Sequence, residues 1–276
     1  MNRLGTSFHR KFALNRPGVT QVLRVVETLE SRTGGDEAVT FRHLEEKTTL
    51  GPVYIAAMRR YAYGMRLLDE QEKLTPLGRF VLRNDPELNR LVTLWCLHFN
   101  LSLRNGPGPY FWHQLVVNSF RPGDVLDSRT IGTLIYEAVT TDGTEVVSRK
   151  TAEHAAPSFL GSYSKADALG PLGILEEDAA GKYRVLSPLP PPLWAFAYVL
   201  ADYWTTNWGA VTGVSLARVA EEGGVGPILM MGGGLINRYL GDLQREGFVI
   251  VQRRTPPFQL TRNWQSPEVF LERMYG

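Results

Sequence analysis

The chain has 276 residues, 43% hydrophobic and 21% charged, with a net charge of +2. That leaves room for one large domain or a few small ones and describes an ordinary folded globular protein. So small a net charge excludes nucleic-acid binding by global charge, and the single cysteine, Cys96, excludes an intramolecular disulfide and a cysteine-rich zinc module.

Residues 1–16 are basic and irregular, with Arg3, Arg10, Lys11 and Arg16 and no acid. They read either as a solvated tail or as a phosphate-contacting arm. The segment has no apolar run of the kind a signal peptide needs, so a soluble, cytoplasmic protein is expected. Pro17 and Gly18 are expected to break the chain. Val19, Val22, Leu23, Val26 and Leu29 then recur at helical spacing through Glu30. A loop is expected at Thr33–Asp36, and Thr40 can cap a short helix carrying Phe41 and Leu44. Pro52 opens a third helix to about Met65. Leu67–Asp69 and Lys73–Thr75 suggest a small hairpin, and Thr75-Pro76-Leu77-Gly78 starts another helix.

That order is the order of a winged helix-turn-helix. On its third helix Tyr54, Ile55, Met58, Tyr61, Ala62 and Met65 share one arc. Arg60 and Tyr63 lie away from it, with Arg59 and Arg66 at the margin. Residues 1–66 hold eleven Lys/Arg against six Asp/Glu. Arg59, Arg60 and Tyr63 are therefore candidate DNA contacts, although winged units also dock proteins.

From Leu88 to Leu103 apolar residues occupy nearly every side of a helix, with Pro86 expected in its first turn. Such a helix is buried in protein or lipid. Arg90, His98, Asn100 and Arg104 interrupt a run already shorter than the roughly 18 residues of a membrane span. After a Gly106–Pro109 turn comes an aromatic segment, Tyr110 to Phe120, and the pair reads as a central helical hairpin. Arg121–Asp124 looks like a linker. Three short helices are expected next, Ile131–Val139, Glu145–Ala155 and Ser158–Leu169. A hairpin, Ile174–Glu177 and Lys182–Leu186, follows with Glu176, Glu177 and Asp178 at its tip. Phosphate would be repelled there, so this is read as a degenerate winged unit used for packing or protein contact.

The proline-rich Ser187–Pro192 precedes an aromatic helix, Leu193–Trp208. Ser215 can cap Leu216–Glu222. A helix from about Leu235 to Glu246 then leads to strands Phe248–Gln252 and Phe258–Thr261. Leu235, Ile236, Tyr239, Leu240 and Leu243 fall on one face of that helix, and Asn237, Arg238, Gly241, Gln244 and Arg245 on the other. Arg, Asn and Gln are the side chains that make paired hydrogen bonds to base edges. The hairpin adds Arg253, Arg254 and Arg262 without an acid, which suits phosphate positioning.

Catalytic signatures are missing from the sequence. Gly232-Gly233-Gly234 leads into Leu235-Ile236-Asn237 and lacks the Gly-Lys-Ser/Thr ending of a phosphate-binding loop. His9, His43, His98, His113 and His154 are scattered, and no carboxylate cluster suits a metal-dependent nuclease. No enzyme, cofactor or metal is expected.

The run LTPLGRFVLRNDPELNRLVTLWCLHFNLSLRNGPGPYFWHQLVVNSF resembles the signature stretch of a bacterial family, domain of unknown function four-thousand-seven. The matching residues are Leu74–Gly78, Leu94–Phe99 and Tyr110–Trp112. The opening SFHRKFALNRPGV also resembles that family's start. The resemblance implies a place among phage-defence and DNA-phosphorothioation genes, and it carries over no catalytic residue. The expected protein is mainly α with small β-hairpins, tandem winged helix-turn-helix-like units around a central helical hairpin. The expected division is 1–84, an N-terminal winged helix-turn-helix; 85–122, the hairpin core; 123–187, the degenerate unit; and 188–276, a C-terminal winged helix. Its expected partners are double-stranded DNA and other subunits of a defence system, with no membrane and with room for a homodimer. The alternative is an adaptor whose winged units dock protein, and a cryptic nuclease stands third.

Overall fold

The computed structural model describes residues 3–33, 39–143, 145–219 and 224–276. The chain divides into two compact units, Met1–Leu189 and Pro190–Gly276.

The first unit opens with helices α1 (Arg16–Thr33), α2 (Phe41–Lys47), α3 (Pro52–Gly64) and α4 (Pro76–Asn84). Thr40 caps α2 by accepting from His43 N, and Pro52 sits in the first turn of α3. Between α3 and α4 the expected hairpin is reduced to one bridge, Leu68 to Leu74. Pro17 and Gly18 do not break the chain; they lie in the first turn of α1, where a missing N–H costs nothing. Of the loop expected at Thr33–Asp36, Thr33 ends α1 and the rest lies outside the described residues.

The central hairpin is α5 (Leu91–Ser102) and α6 (Tyr110–Ser119). Every residue of α5 from Val92 to Ser102 is buried, as its apolar circumference requires. Pro86 lies in a turn ahead of α5, not in its first turn. The helix starts at Leu91 because the Asp85 carboxylate accepts from Asn89 N, Arg90 N and Thr93 Oγ1 at 2.9, 2.8 and 2.6 Å.

The region beyond departs from expectation in two places. The supposed linker runs into a strand, β1 (Val125–Leu126), and the three short helices are two long ones, α7 (Ser128–Asp142) and α8 (Arg149–Ser164). Pro157 lies inside α8. Strands β2 (Leu175–Glu177) and β3 (Tyr183–Val185) complete an antiparallel sheet of order β1-β3-β2.

The opening segment is neither a solvated tail nor a free arm. Phe8, His9, Leu14 and Arg16 are buried. Glu145 accepts from Thr6 N and Thr6 Oγ1, and Ser162 Oγ accepts from Leu14 N. The Arg16 guanidinium donates to the carbonyls of Leu88 and Ala166 and to Asn89. Phe8 packs edge-on against Tyr61 of α3, with ring centroids 4.8 Å apart, and Trp112 of α6 packs likewise on Phe159 of α8. The core of this unit is that aromatic cluster, closed over by its own N-terminus.

The second unit runs α9 (Leu193–Trp208), β4 (Gly213–Ser215), α10 (Val225–Ile228), α11 (Gly233–Arg245), β5 (Val249–Gln252), β6 (Gln259–Arg262) and α12 (Leu271–Tyr275). Residues 216–219 are helical, and the remainder of the expected Leu216–Glu222 helix lies outside the described residues. The sheet order is β4-β6-β5. Phe196, Trp204, Leu240, Leu243, Leu260 and Phe270 form its core.

Candidate nucleic-acid interface

Helix α11 is amphipathic and its two faces separate as the spacing predicts. Ile236, Tyr239, Leu240 and Leu243 are buried, and the Tyr239 hydroxyl donates to the Pro191 carbonyl at 2.7 Å. Asn237, Arg238, Gln244 and Arg245 are exposed. Nothing lies within 4 Å of where a side chain on Gly241 would begin, so the backbone there is open to close approach.

Local contacts give these exposed residues different freedom. Gln244 Oε1 accepts from Val251 N at 2.7 Å and is committed to the edge of β5. Arg245 pairs with Asp242, an acid on the margin of the same face. Arg253, from the hairpin, donates to Asn237 Oδ1 at 3.0 Å and so ties hairpin to helix. Arg238 lies over the Tyr239 ring, 5.5 Å from its centroid. Arg238 and Arg254 are exposed, and among the described residues no carboxylate pairs with either. Of the residues singled out from sequence, the structure joins Asn237 and Arg253 by a hydrogen bond, with Arg238 and Arg254 their exposed neighbours in the chain. Gln244 and Arg245 have internal partners. Asp242 was missed because attention to one face by residue type passes over a lone acid.

In the first unit the three residues singled out on α3 have a mixed setting. Arg59 pairs with Glu72 and lies over the Phe41 ring at 5.7 Å; burial and neighbouring Arg60 hold its pKa below the ordinary value. Arg60 is exposed at the surface, and the partial burial of its guanidinium and the charge of Arg10 lower its pKa. Burial and Glu70 raise that of Tyr63. All three border a cleft of about 560 Å³ whose other wall is the acidic turn Asp69–Glu72. Arg10 lies outside the lining of this cleft, in a non-helical turn with positive φ at Arg10 and Lys11.

The tip of the β2–β3 hairpin is exposed, and Asp178 spends its carboxylate on the turn, accepting from Ala180 N and Lys182 N. Among the described residues no group of three or more His, Cys, Asp or Glu is placed to hold a metal ion. Among them, too, no helix is long and apolar enough to cross a membrane.

No family model and no curated protein matches the chain, so the resemblance to the four-thousand-seven family stands on its quoted motifs. Two solved structures do match in fold. One is titled "SspB crystal structure", with a TM-score of 0.73, 19% identity, and cover of 97% of this chain and 86% of that one. The other, "Magnesium ion-bound SspB crystal structure", has a TM-score of 0.72, 18% identity and the same cover. The chain shares the mainly helical fold of SspB over nearly its whole length.

Proposed function

We propose that this protein binds double-stranded DNA through α11 and the β5–β6 hairpin, as a non-catalytic accessory or regulatory component of a bacterial phage-defence or DNA-modification system. The observation that carries this is the Arg253–Asn237 hydrogen bond. It joins the basic hairpin to the exposed polar face of α11, so that base-edge and phosphate chemistry share one surface. The order helix, strand, helix, helix, strand, strand in the second unit supports a winged-helix assignment. The fold likeness to SspB and the gene neighbourhood implied by the family resemblance support the defence context.

The test is a salt titration of duplex affinity for Arg238→Ala and Arg253→Ala beside wild type. Loss of a base-reading Arg238 should cost about 1–3 kcal/mol and relax preference at one position, whereas loss of Arg253 should weaken all sequences alike and flatten the salt slope by about one unit. Unchanged affinity and slope in both variants, with circular dichroism intact, would remove this surface from DNA.

One observation favours the adaptor alternative. Ile250 and Phe258 are exposed by 61% and 40% on the same hairpin, and apolar side chains in such a place suit a protein subunit. In that case both arginine variants bind DNA like wild type but lose the partner subunit in co-purification.

A further inference from the structure

The exposed face of α11 carries two carboxamides, and the protein has already used the oxygen of each. Asn237 Oδ1 accepts from Arg253 Nη2 at 3.0 Å, and Gln244 Oε1 accepts from Val251 N at 2.7 Å. A guanidinium and a backbone N–H can only donate, so each partner selects the oxygen end of its amide and fixes which way the amide is turned. The oxygen lies toward the hairpin in both cases, and the NH₂ group is left over. Among the described residues neither NH₂ group has an internal acceptor, and both side chains are exposed. Gly241 stands between them on the same face, where nothing lies within 4 Å of the start of a side chain.

The charged groups around the two amides have the same polarity. Arg238, Arg253 and Arg254 donate and never accept. The acid at the margin, Asp242, is paired with Arg245. A face that only donates selects acceptors. In the major groove guanine shows two adjacent acceptors, N7 and O6. Adenine sets its N6 donor beside N7, and cytosine shows a donor, N4. Asparagine or glutamine with a free oxygen suits adenine, because one end of the amide accepts while the other donates. Here that pairing would have to share an oxygen with Arg253 or with the edge of β5.

We infer that this face reads guanine: the NH₂ groups of Asn237 and Gln244 donate to guanine N7 and O6 in the major groove, and Arg238 adds donors of the same kind. The assignment rests on the duplex-binding reading above and narrows its target to guanine-bearing duplexes.

The test is fluorescence anisotropy of the full chain on three duplexes of one length. One has a central run of guanines, one the same run as 7-deazaguanine, in which a C–H replaces N7, and one a run of adenines. The guanine duplex should bind about tenfold tighter than either of the others, the scale of one paired contact to a base edge. Asn237→Asp and Gln244→Glu keep an oxygen for Arg253 and for Val251 N but turn the outward donor into an acceptor. The ratio of guanine to deazaguanine affinity should fall in each variant and reach about one in the double variant, whatever the overall affinity. The base-analogue comparison uses the unaltered chain and stands without the variants. Equal affinity for all three duplexes, with a salt slope that still depends on Arg253, would overturn guanine reading and leave duplex binding in place. A preference for the adenine run would show that the amide oxygens serve bases, and would overturn it too. No affinity for any duplex would overturn both readings together.

Discussion

Trp95 is fully buried on a helix that has no polar face, and its ring packs edge-on to His98 with centroids 5.3 Å apart. Trp95→Ala should cost on the order of 3–5 kcal/mol, the transfer free energy of the ring together with the cavity it leaves. A melting temperature indistinguishable from wild type would contradict the central place given to this hairpin. His9 makes a second case at the level of one side chain. It is buried, and desolvation lowers its pKa from the ordinary imidazole value of about 6.5 to about 4, with a backbone hydrogen bond at Thr6 opposing that shift. The folded state therefore binds the proton more weakly than the unfolded chain does. Its contribution is complete above about 6.5 and is lost as pH falls toward about 4. Over that window the loss should be roughly 3 kcal/mol. His113 shifts in the same direction, chiefly through burial. Urea unfolding at neutral and mildly acidic pH should show the fall in wild type and a smaller one in His9→Asn, which keeps an acceptor but cannot take a charge. Equal acid sensitivity in the two proteins would refute it. The burial of this histidine could not be read from local pattern. The segment that carries His9 is held by residues far along the chain, with Glu145 accepting from Thr6 N and Ser162 from Leu14 N, and periodicity carries no record of such contacts.

Elements were legible where burial follows a period and illegible where one residue type argues against the outcome. Helices α3, α5 and α11 each bury the face that their apolar spacing marks. The expected helices Glu145–Ala155 and Ser158–Leu169 stop and start on either side of Pro157, and an interior proline removes a hydrogen bond and costs about 3 kcal/mol. Here Ala152, Ala155, Ala156, Phe159, Leu160 and Tyr163 are all buried along one continuous helix, and that burial outweighs the cost. The motif Leu74–Gly78 now has a mechanical meaning as well. Thr75 caps α4, and a side chain on Gly78 would begin 2.1 Å from the Leu67 carbonyl oxygen. Helix α4 can lie against that backbone only with glycine at this position. The turn that leads into helix α5 depends on Asp85 in a comparable way, since Asp85→Ala would strand three donors that one buried carboxylate satisfies. The expected loss is about 2 kcal/mol, within the range for leaving buried hydrogen-bonding groups unsatisfied. Asp85→Asn should recover part of it, because the amide oxygen still accepts. Denaturant midpoints for both variants check this, and equal midpoints for alanine and asparagine would show that the carboxylate's acceptor role is not what starts the helix.

At the scale of the molecule, the chain divides into the Met1–Leu189 and Pro190–Gly276 units, and the proposed work falls to the second. The boundary between the units falls in the proline-rich run, where Pro188 and Pro190–Pro192 cannot continue a helix or a central strand. Within the first unit the opening segment crosses to α3 and α8, contacts that local pattern does not record. The second unit buries its own aromatic core, with Trp204 packed edge-on to Trp264 and Phe248 beside Phe270 at 4.8 Å. Arg273 closes that core from outside, lying over Trp194 and Phe248 and pairing with Glu246 at 3.1 Å. A unit with its own core and a complete small sheet should fold when expressed as Pro190–Gly276. If α11 and the β5–β6 hairpin are the duplex-binding surface, that fragment should bind duplex DNA with the salt slope of the full chain, since the slope counts only the phosphates contacted. Neither protein should cleave DNA when magnesium or manganese is added. A folded fragment with no duplex affinity, beside a full chain that binds, would move the DNA surface to the first unit. Cleavage that co-purifies with the full chain and is abolished by changing Glu176, Glu177 or Asp178 would replace the accessory role with a catalytic one.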